Sequence, residues 1–213
     1  MRMQYIAYMM SSYLFNPEQK SCLIVGLGGG AMVHFMNRHF QGLQIDAIDI
    51  DPLVVKIAKK YFFVKNSGQN RVFTADGFVF LRQGSKVYDT IYMDAYLKPS
   101  EATDSHGMPL NVKTLSFLKH LQTRVKKNGL IIINMNLNSN LKNDLRLLSQ
   151  AFAQIYMFQE PELGNLIVVA SKNSKRLTLK ELKARAQKFD ASYRLPFSFK
   201  QVIANRKTLA DFN

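Results

Sequence analysis

Ser21-Cys-Leu-Ile-Val-Gly-Leu-Gly-Gly-Gly-Ala-Met32, followed by Ile45-Asp-Ala-Ile-Asp-Ile-Asp-Pro52, decides the fold. A short apolar run, Leu23 to Val25, enters a glycine cluster at Gly26, Gly28, Gly29 and Gly30. A helix-like stretch follows from Ala31 to Phe40, and a second apolar run, Ile45 to Ile50, delivers Asp49 and Asp51. The order is strand, glycine turn, helix, strand, acid. Glycine lets the backbone turn sharply and approach a ligand closely. The helix start behind it presents free N–H groups and a partial positive charge. An acid at the end of the second strand suits the two hydroxyls of a ribose. The pattern points to a nucleoside site; the alternative is an α/β core whose glycines serve close packing alone.

The glycine motif does not by itself name the nucleoside. Asp49 lies 23 residues after Gly26, and Ala31 is tolerated as the third glycine of a dinucleotide fingerprint, so NAD fits this part. The rest of the chain argues against it. Arg71-Val-Phe-Thr-Ala-Asp-Gly reads as a third strand ending in Asp76 and Gly77, and Val87-Tyr-Asp-Thr-Ile-Tyr-Met-Asp as a fourth ending in Asp94. Asp49, Asp76 and Asp94 then converge at the carboxyl ends of three strands, where open α/β sheets bind ligands.

These stretches, with Ala58-Lys-Lys-Tyr-Phe, Phe80-Leu, Ala95-Tyr and Lys127-Asn-Gly-Leu-Ile-Ile-Ile-Asn, resemble the spermidine synthase (polyamine aminopropyltransferase) family. The resemblance runs from about Tyr5 to about Asn136. It implies an α/β, Rossmann-like class I methyltransferase fold: a seven-stranded, mostly parallel sheet with helices on both faces. It also implies S-adenosylmethionine or its decarboxylated form as cofactor, with no metal, and a place in polyamine biosynthesis. In the family the acid matched by Asp49 holds the ribose, with Ile50 beside it. The acid matched by Asp76 lies next to the adenine, with Gly77. The loop Gly26, Leu27, Gly28, Gly29, Gly30 passes under the amino-acid-like tail. Asp94 opens the catalytic loop as the catalytic acid and also borders the cofactor.

Two departures touch the chemistry. The family's glycine loop carries an aspartate where this chain has Gly29, and a second catalytic-loop aspartate stands where this chain has Leu97. The family's N-terminal β-rich domain is also expected to be absent, since about 20 residues precede the first strand. The variant resembles a divergent branch, some of whose members are similar to protein or small-molecule methyltransferases. Three readings stay open: aminopropyl transfer to an amine, methyl transfer to an amine, protein or small-molecule acceptor, and a catalytically silent cofactor-binding module.

The 213 residues, 47% hydrophobic, suffice for a sizeable α/β core. We expect a nucleoside-binding domain over residues 1–170 and a basic helical extension of the same domain over 171–213. Cys22, the single cysteine, allows no internal disulfide and fits a reducing cytoplasm. The histidines His34, His39, His106 and His120 are scattered and suggest no metal site. Residues 1–15 read as an N-terminal helix on the sheet edge, with Tyr5 and Tyr8 on one side, rather than as a signal peptide. No apolar run is long enough for a membrane span.

Val54, Ile57, Ala58 and Tyr61 follow helical spacing after Asp51-Pro52 and read as a buried stripe. Ala95 to Pro109 reads as a lid and acceptor-binding loop, where Glu101, Asp104 or His106 could replace the missing acid. Val112 to Lys126 reads as one helix ended by Asn128-Gly129, ahead of a strand from Leu130 to Met135. A helix from Leu141 to Ala153 and two edge strands, Ile155 to Phe158 and Leu166 to Ala170, complete the sheet. The tail from residue 171 holds eleven Lys/Arg against three Asp/Glu, more than half of the net charge of +14. It reads as a basic helix from Leu177 to Phe189 and a short helix from Ser198 to Asn205. This face is either an ordinary solvated surface or a footprint for nucleic acid or another acidic partner. The remaining partners expected are the small-molecule acceptor and a second copy in a homodimer.

Overall fold

A computed structural model describes residues 4–162 and 164–212. Two short helices, α1 (Gln4–Met9) and α2 (Ser12–Phe15), lead into β1 (Ser21–Val25). Then follow α3 (Ala31–His39), β2 (Gln44–Asp49), α4 (Pro52–Tyr61), β3 (Asn70–Thr74), α5 (Gly77–Gln83) and β4 (Tyr88–Met93). The second half comprises α6 (Leu115–Thr123), β5 (Val125–Met135), α7 (Leu141–Ala151), β6 (Gln154–Gln159), β7 (Leu166–Ser171), α8 (Leu179–Ser192), α9 (Phe199–Ala204) and β8 (Arg206–Lys207). The expectations for residues 1–3 and for Asn213 lie outside the described residues.

The strands form one sheet in the order β3-β2-β1-β4-β5-β7-β6-β8. The first five are parallel, and β7, β6 and β8 are added antiparallel. Strands in such a sheet are covered on both faces and need apolar residues throughout; β1 and β7 are buried along their whole length. Alternate residues feed two cores. Ile24, Tyr92 and Ile132 pack with α1, α3, α8 and α9, while Leu23, Ile91 and Ile131 pack with α6 and α7. Val25 is level with Ile48 on β2 and with Met93 on β4. That register brings Gly26, Asp49 and Asp94 to one crevice where the strand order reverses, as the acids at the strand ends imply.

Four expectations need correcting. Residues 112–126 are not one helix: Thr114 is extended and caps α6 by accepting from the Phe117 N–H, after a 3-10 turn over Leu110–Lys113. Asn128-Gly129 does not end that helix, because β5 already begins at Val125, which pairs with Tyr88 ahead of an irregularity in the ladder. The sheet has an eighth strand, since α9 returns the chain to the free edge of β6, where β8 pairs with it. On α4 the buried residues are Val55 and Ala58, whereas Ile57 and Tyr61 face outward.

One polar cluster is built into the sheet. Asp46 of β2 is buried and accepts from Arg71, Lys86 and the Tyr88 hydroxyl at 2.6–2.9 Å. Burial alone would raise its carboxyl, but these three donors outweigh burial and hold it below the usual carboxylate range. Replacing Asp46 by alanine strands the buried Tyr88 hydroxyl and should lower stability by about 2 kcal/mol, read as the shift in a urea unfolding curve.

Candidate functional site

The crevice is shaped by a backbone contact that only glycine allows. Gly26 has φ 99°, and a Cβ there would lie 2.2 Å from the carbonyl oxygen of Asp94. The loop after β1 can therefore press against the loop after β4. Gly30, at φ 74°, fills a different need: a Cβ would meet Val64 at 2.2 Å, so it serves packing against the segment after α4. Gly77 is likewise pressed on Val25. Gly29 is unlike these. It lies outside the left-handed region, and the nearest atoms to its hypothetical Cβ are those of the Phe62 ring at 3.7 Å, an ordinary contact.

A cavity of about 260 Å³ opens over this loop, lined by Tyr5, Gly26, Leu27, Gly28, Gly29, Ala31, Met32 and Asp94. Ala31 and Met32 begin α3, whose N-terminus has no side-chain cap. By contrast α4, α5, α6, α8 and α9 are capped by Asp51, Asp76, Thr114, Thr178 and Ser198. The first amides of α3, like those of α7, have no side-chain cap; those of α3 face the cavity, and a helix N-terminus favours an anion.

Asp49 closes the loop from the β2 side. Its carboxylate accepts from the N–H groups of Leu27 at 3.0 Å, Gly28 at 3.3 Å and Asp51 at 3.1 Å. A carboxylate offers about four acceptor sites, so one remains for a hydroxyl. Ile50 follows it, half exposed. Asp76 caps α5 by accepting from the Phe78 and Val79 N–H groups through one oxygen. Of the predicted site residues, Gly26, Leu27, Gly28, Gly29 and Asp94 line the cavity; Asp49 holds its floor from behind through the Leu27 and Gly28 N–H groups, and Asp49, Gly30, Ile50, Asp76 and Gly77 are not part of its lining.

Asp94 is the only carboxylate among the described residues that lines the cavity. Burial raises its carboxyl to about 6, despite hydrogen bonds from Asn134 Nδ2 at 2.8 Å and from the Tyr5 hydroxyl at 3.2 Å. Behind Asn134 stands Asn165, which donates to the Asn134 and Asn136 side-chain oxygens, and Tyr96 donates to the Asn134 carbonyl. The sequence put Tyr5 on an N-terminal helix without assigning it to the site, and gave Asn134 no role. The available signal was a single polar residue closing the apolar run Leu130 to Ile133.

The loop after Asp94 is an ordered structure. Leu97 N–H donates to the Gly107 carbonyl at 2.8 Å, and Gly107, at φ 82°, leaves no room for a side chain there. Asp104 accepts from the His106 and Met108 N–H groups, from Asn138 and from Lys113, which also binds Asp144. Asp104 is thereby spent on holding the loop, and Glu101 and His106 are exposed. Cys22 is buried, and its thiol is pushed up by that burial. Among the described residues no three His, Cys, Asp or Glu side chains gather as a metal site, and no helix is long and apolar enough to cross a membrane.

Comparison with known proteins fits this geometry. The chain is 28% identical over 171 residues to a polyamine aminopropyltransferase of Vibrio vulnificus, covering 78% of this chain and 55% of that protein. It is 31% identical over 191 residues to the eEF1A lysine and N-terminal methyltransferase of Xenopus laevis, covering 84% of this chain and 27% of that one. It therefore spans about half and about a quarter of the lengths of these relatives. In fold it is similar to human methyltransferase-like protein 13 in complex with SAH, with a TM-score of 0.79, 24% identity and coverage of 92% and 93%. It is also similar to a spermidine synthase in complex with the transition-state analogue AdoDATO, with a TM-score of 0.71, 19% identity and coverage of 94% and 71%. The spermine/spermidine synthase domain matches residues 4–183, most of the chain, and the chain belongs to that family.

Proposed function

We propose that the crevice binds S-adenosylmethionine and that the chain transfers its methyl group to an amine. The observation that carries this reading is the wall of the cavity at Gly29. The family's aspartate at this place suits the ammonium of a decarboxylated cofactor and opposes a carboxylate. Here the wall has no acid, and the uncapped start of α3 lies beside it. An uncapped helix N-terminus and a missing like charge both favour a carboxylate. When bound, S-adenosylmethionine supplies a methyl carbon on a sulfonium, which departs as a thioether with the bonding electron pair.

The residues of this chain then have defined tasks. Asp49 would accept from a ribose hydroxyl while holding the glycine loop. Ile50, Asp76 and Gly77 would border the adenine. Asp94, positioned by Tyr5 and Asn134, would accept a hydrogen bond from the attacking amine and stabilise the positive charge the nitrogen gains. With its carboxyl near 6, Asp94 is largely ionised at neutral pH and can also take the proton that leaves the nitrogen. Alignment accounts for most of the remaining work, because the leaving group needs no activation.

The net charge favours an acidic acceptor over a polyamine. In the tail, Glu181 sits in a capping box, Asp190 at the start of α9 and Asp211 on Thr208, while Lys180, Lys183 and Lys188 are exposed on a segment with eleven Lys/Arg against three Asp/Glu. A second reading, aminopropyl transfer, is supported by the family match and by Asp94, which matches the first acid of the family's catalytic loop.

Calorimetric titration with the two cofactors separates the readings. The native chain should bind S-adenosylmethionine at least tenfold more tightly than the decarboxylated form, about 1.4 kcal/mol; the reverse order would overturn methyl transfer. Gly29→Asp, which the backbone and the 3.7 Å clearance accommodate, should invert that preference. Asp49→Ala should weaken nucleoside binding at least tenfold, the loss of a charged hydrogen bond worth about 1.5–3 kcal/mol. Asp94→Asn should lower turnover far more than cofactor affinity, and native turnover should rise with pH through about 6.

The same residue predicts a stability profile. A carboxyl raised from 3.8 to about 6 on folding is most favourable to the native state when protonated. Its contribution is therefore full below 3.8 and is lost as pH rises through 6. Urea unfolding should show Asp94→Asn equal to the native chain near about pH 4 and more stable by up to about 3 kcal/mol at about pH 7.

A further inference from the structure

The outward face of α4 is apolar where a surface helix should be polar. Leu53, Ile57 and Tyr61 follow one another at four-residue spacing and are 58%, 38% and 61% exposed. Phe62 and Phe63 continue the ridge at 52% and 70% exposed. Single exposed apolar side chains need no explanation, but a contiguous run of five large ones does. The buried face of the helix, Val55 and Ala58, is separate from this run, so the fold does not use these side chains.

Two further observations mark the ridge as built. Phe63 is the only non-glycine residue with positive φ among the described residues, at 56°. A bulky side chain is strained in that conformation, and no burial of its ring offsets the strain. Phe62 is fixed at both backbone groups: its N–H donates to the Ala58 carbonyl, and its carbonyl accepts from His34 Nε2 at 2.6 Å. Its ring lies against Gly29, at the wall of the cofactor cavity. The ridge thus ends at the candidate site.

The charges around the ridge select its occupant. Lys56, Lys59, Lys60 and Lys65 flank it, all exposed, and none takes part in an ion pair among the described residues. Lys60 lies over the Tyr61 ring at 5.0 Å. The one acid of this helix start, Asp51, accepts from the Leu53 N–H as the helix cap. A second copy packed face to face would set these lysines against their equivalents. We propose that this ridge docks an acidic segment of a protein acceptor, with apolar side chains over Leu53, Ile57 and Phe63 and carboxylates against the flanking lysines. This deepens the methyl-transfer reading, on which it rests, by making the acceptor a protein.

The test uses the full chain and a synthetic amphipathic peptide with leucines on one face and glutamates along both flanks, followed by fluorescence anisotropy. The native chain should bind this peptide at least tenfold more tightly than the same peptide with lysines for glutamates. Ile57→Glu should weaken binding about tenfold or more while leaving S-adenosylmethionine affinity, measured by calorimetry on the same sample, unchanged. Phe63→Gly should also weaken binding, yet leave the thermal midpoint unchanged or higher, because glycine relieves the positive φ.

Equal affinity for the two peptides, or undiminished binding by Ile57→Glu, would overturn the proposal. So would a concentration-dependent dimer in sedimentation that Ile57→Glu abolishes, which would assign the ridge to a second copy. Failure of the native chain to bind S-adenosylmethionine while the peptide still binds would overturn the cofactor reading and leave the docking face standing.

Discussion

The crevice depends on one close approach, that of Gly26 to the carbonyl of Asp94. The loops after β1 and β4 leave neighbouring parallel strands at the same level, so any side chain at residue 26 would drive them apart. With none present, Asp94 is drawn over the glycine loop and out of water. Burial then raises its carboxyl, and Tyr5 and Asn134 hold what would otherwise be an unpartnered buried acid. The backbone contact thus helps to place, in a buried setting, the one carboxylate that lines the cavity among the described residues.

Support for that carboxylate is gathered from distant parts of the chain. Tyr5 comes from α1, and the neighbouring Tyr8 hydroxyl accepts from Asn205, just past α9. Arg185 of α8 donates to the carbonyls of Leu14 and Phe15 at the end of α2. The tail helices therefore brace the N-terminal helices, which in turn deliver Tyr5 to the site. From the other side Asn165, ahead of β7, holds Asn134. The antiparallel extension of the sheet thus contributes to the site as well as to the core.

What could be read from the sequence was whatever depends on local pattern. The run from Leu23 through the glycines to Asp49 carries its own geometry, because strand, positive-φ turn, helix start and acid are each set within a few residues. The start of α4 at Asp51-Pro52 is local in the same sense. The misses required tertiary knowledge. Asn134 has meaning only beside Asp94, 40 residues away. The early start of β5 follows from pairing with Tyr88, which no window around residue 125 contains. On α4 the helical spacing was real, but two apolar faces competed for the core, and the smaller side chains, Val55 and Ala58, took it. The larger ones were left in solvent, which is where function, rather than folding, explains a sequence.

The two departures from the family pattern act in one electrostatic direction. An acid is missing from the glycine loop at Gly29 and another from the catalytic loop at Leu97. Of the two acids that remain in that loop, Asp104 is bound to Lys113 and to two backbone N–H groups, and Glu101 is exposed; neither lines the cavity. A diamine with two ammonium groups needs several carboxylates to compensate its desolvation. This cavity offers one, half-neutral near pH 6. In the methyl-transfer reading proposed above, a cofactor carboxylate would face uncapped helix amides, with no acid at Gly29 to oppose it. In that reading, loss of the two acids raises the free energy of a polycationic acceptor and removes a like charge from beside the carboxylate of the zwitterionic cofactor tail. On the same reading, the substitutions that disfavour aminopropyl transfer to a diamine favour transfer of a methyl group to a single amine.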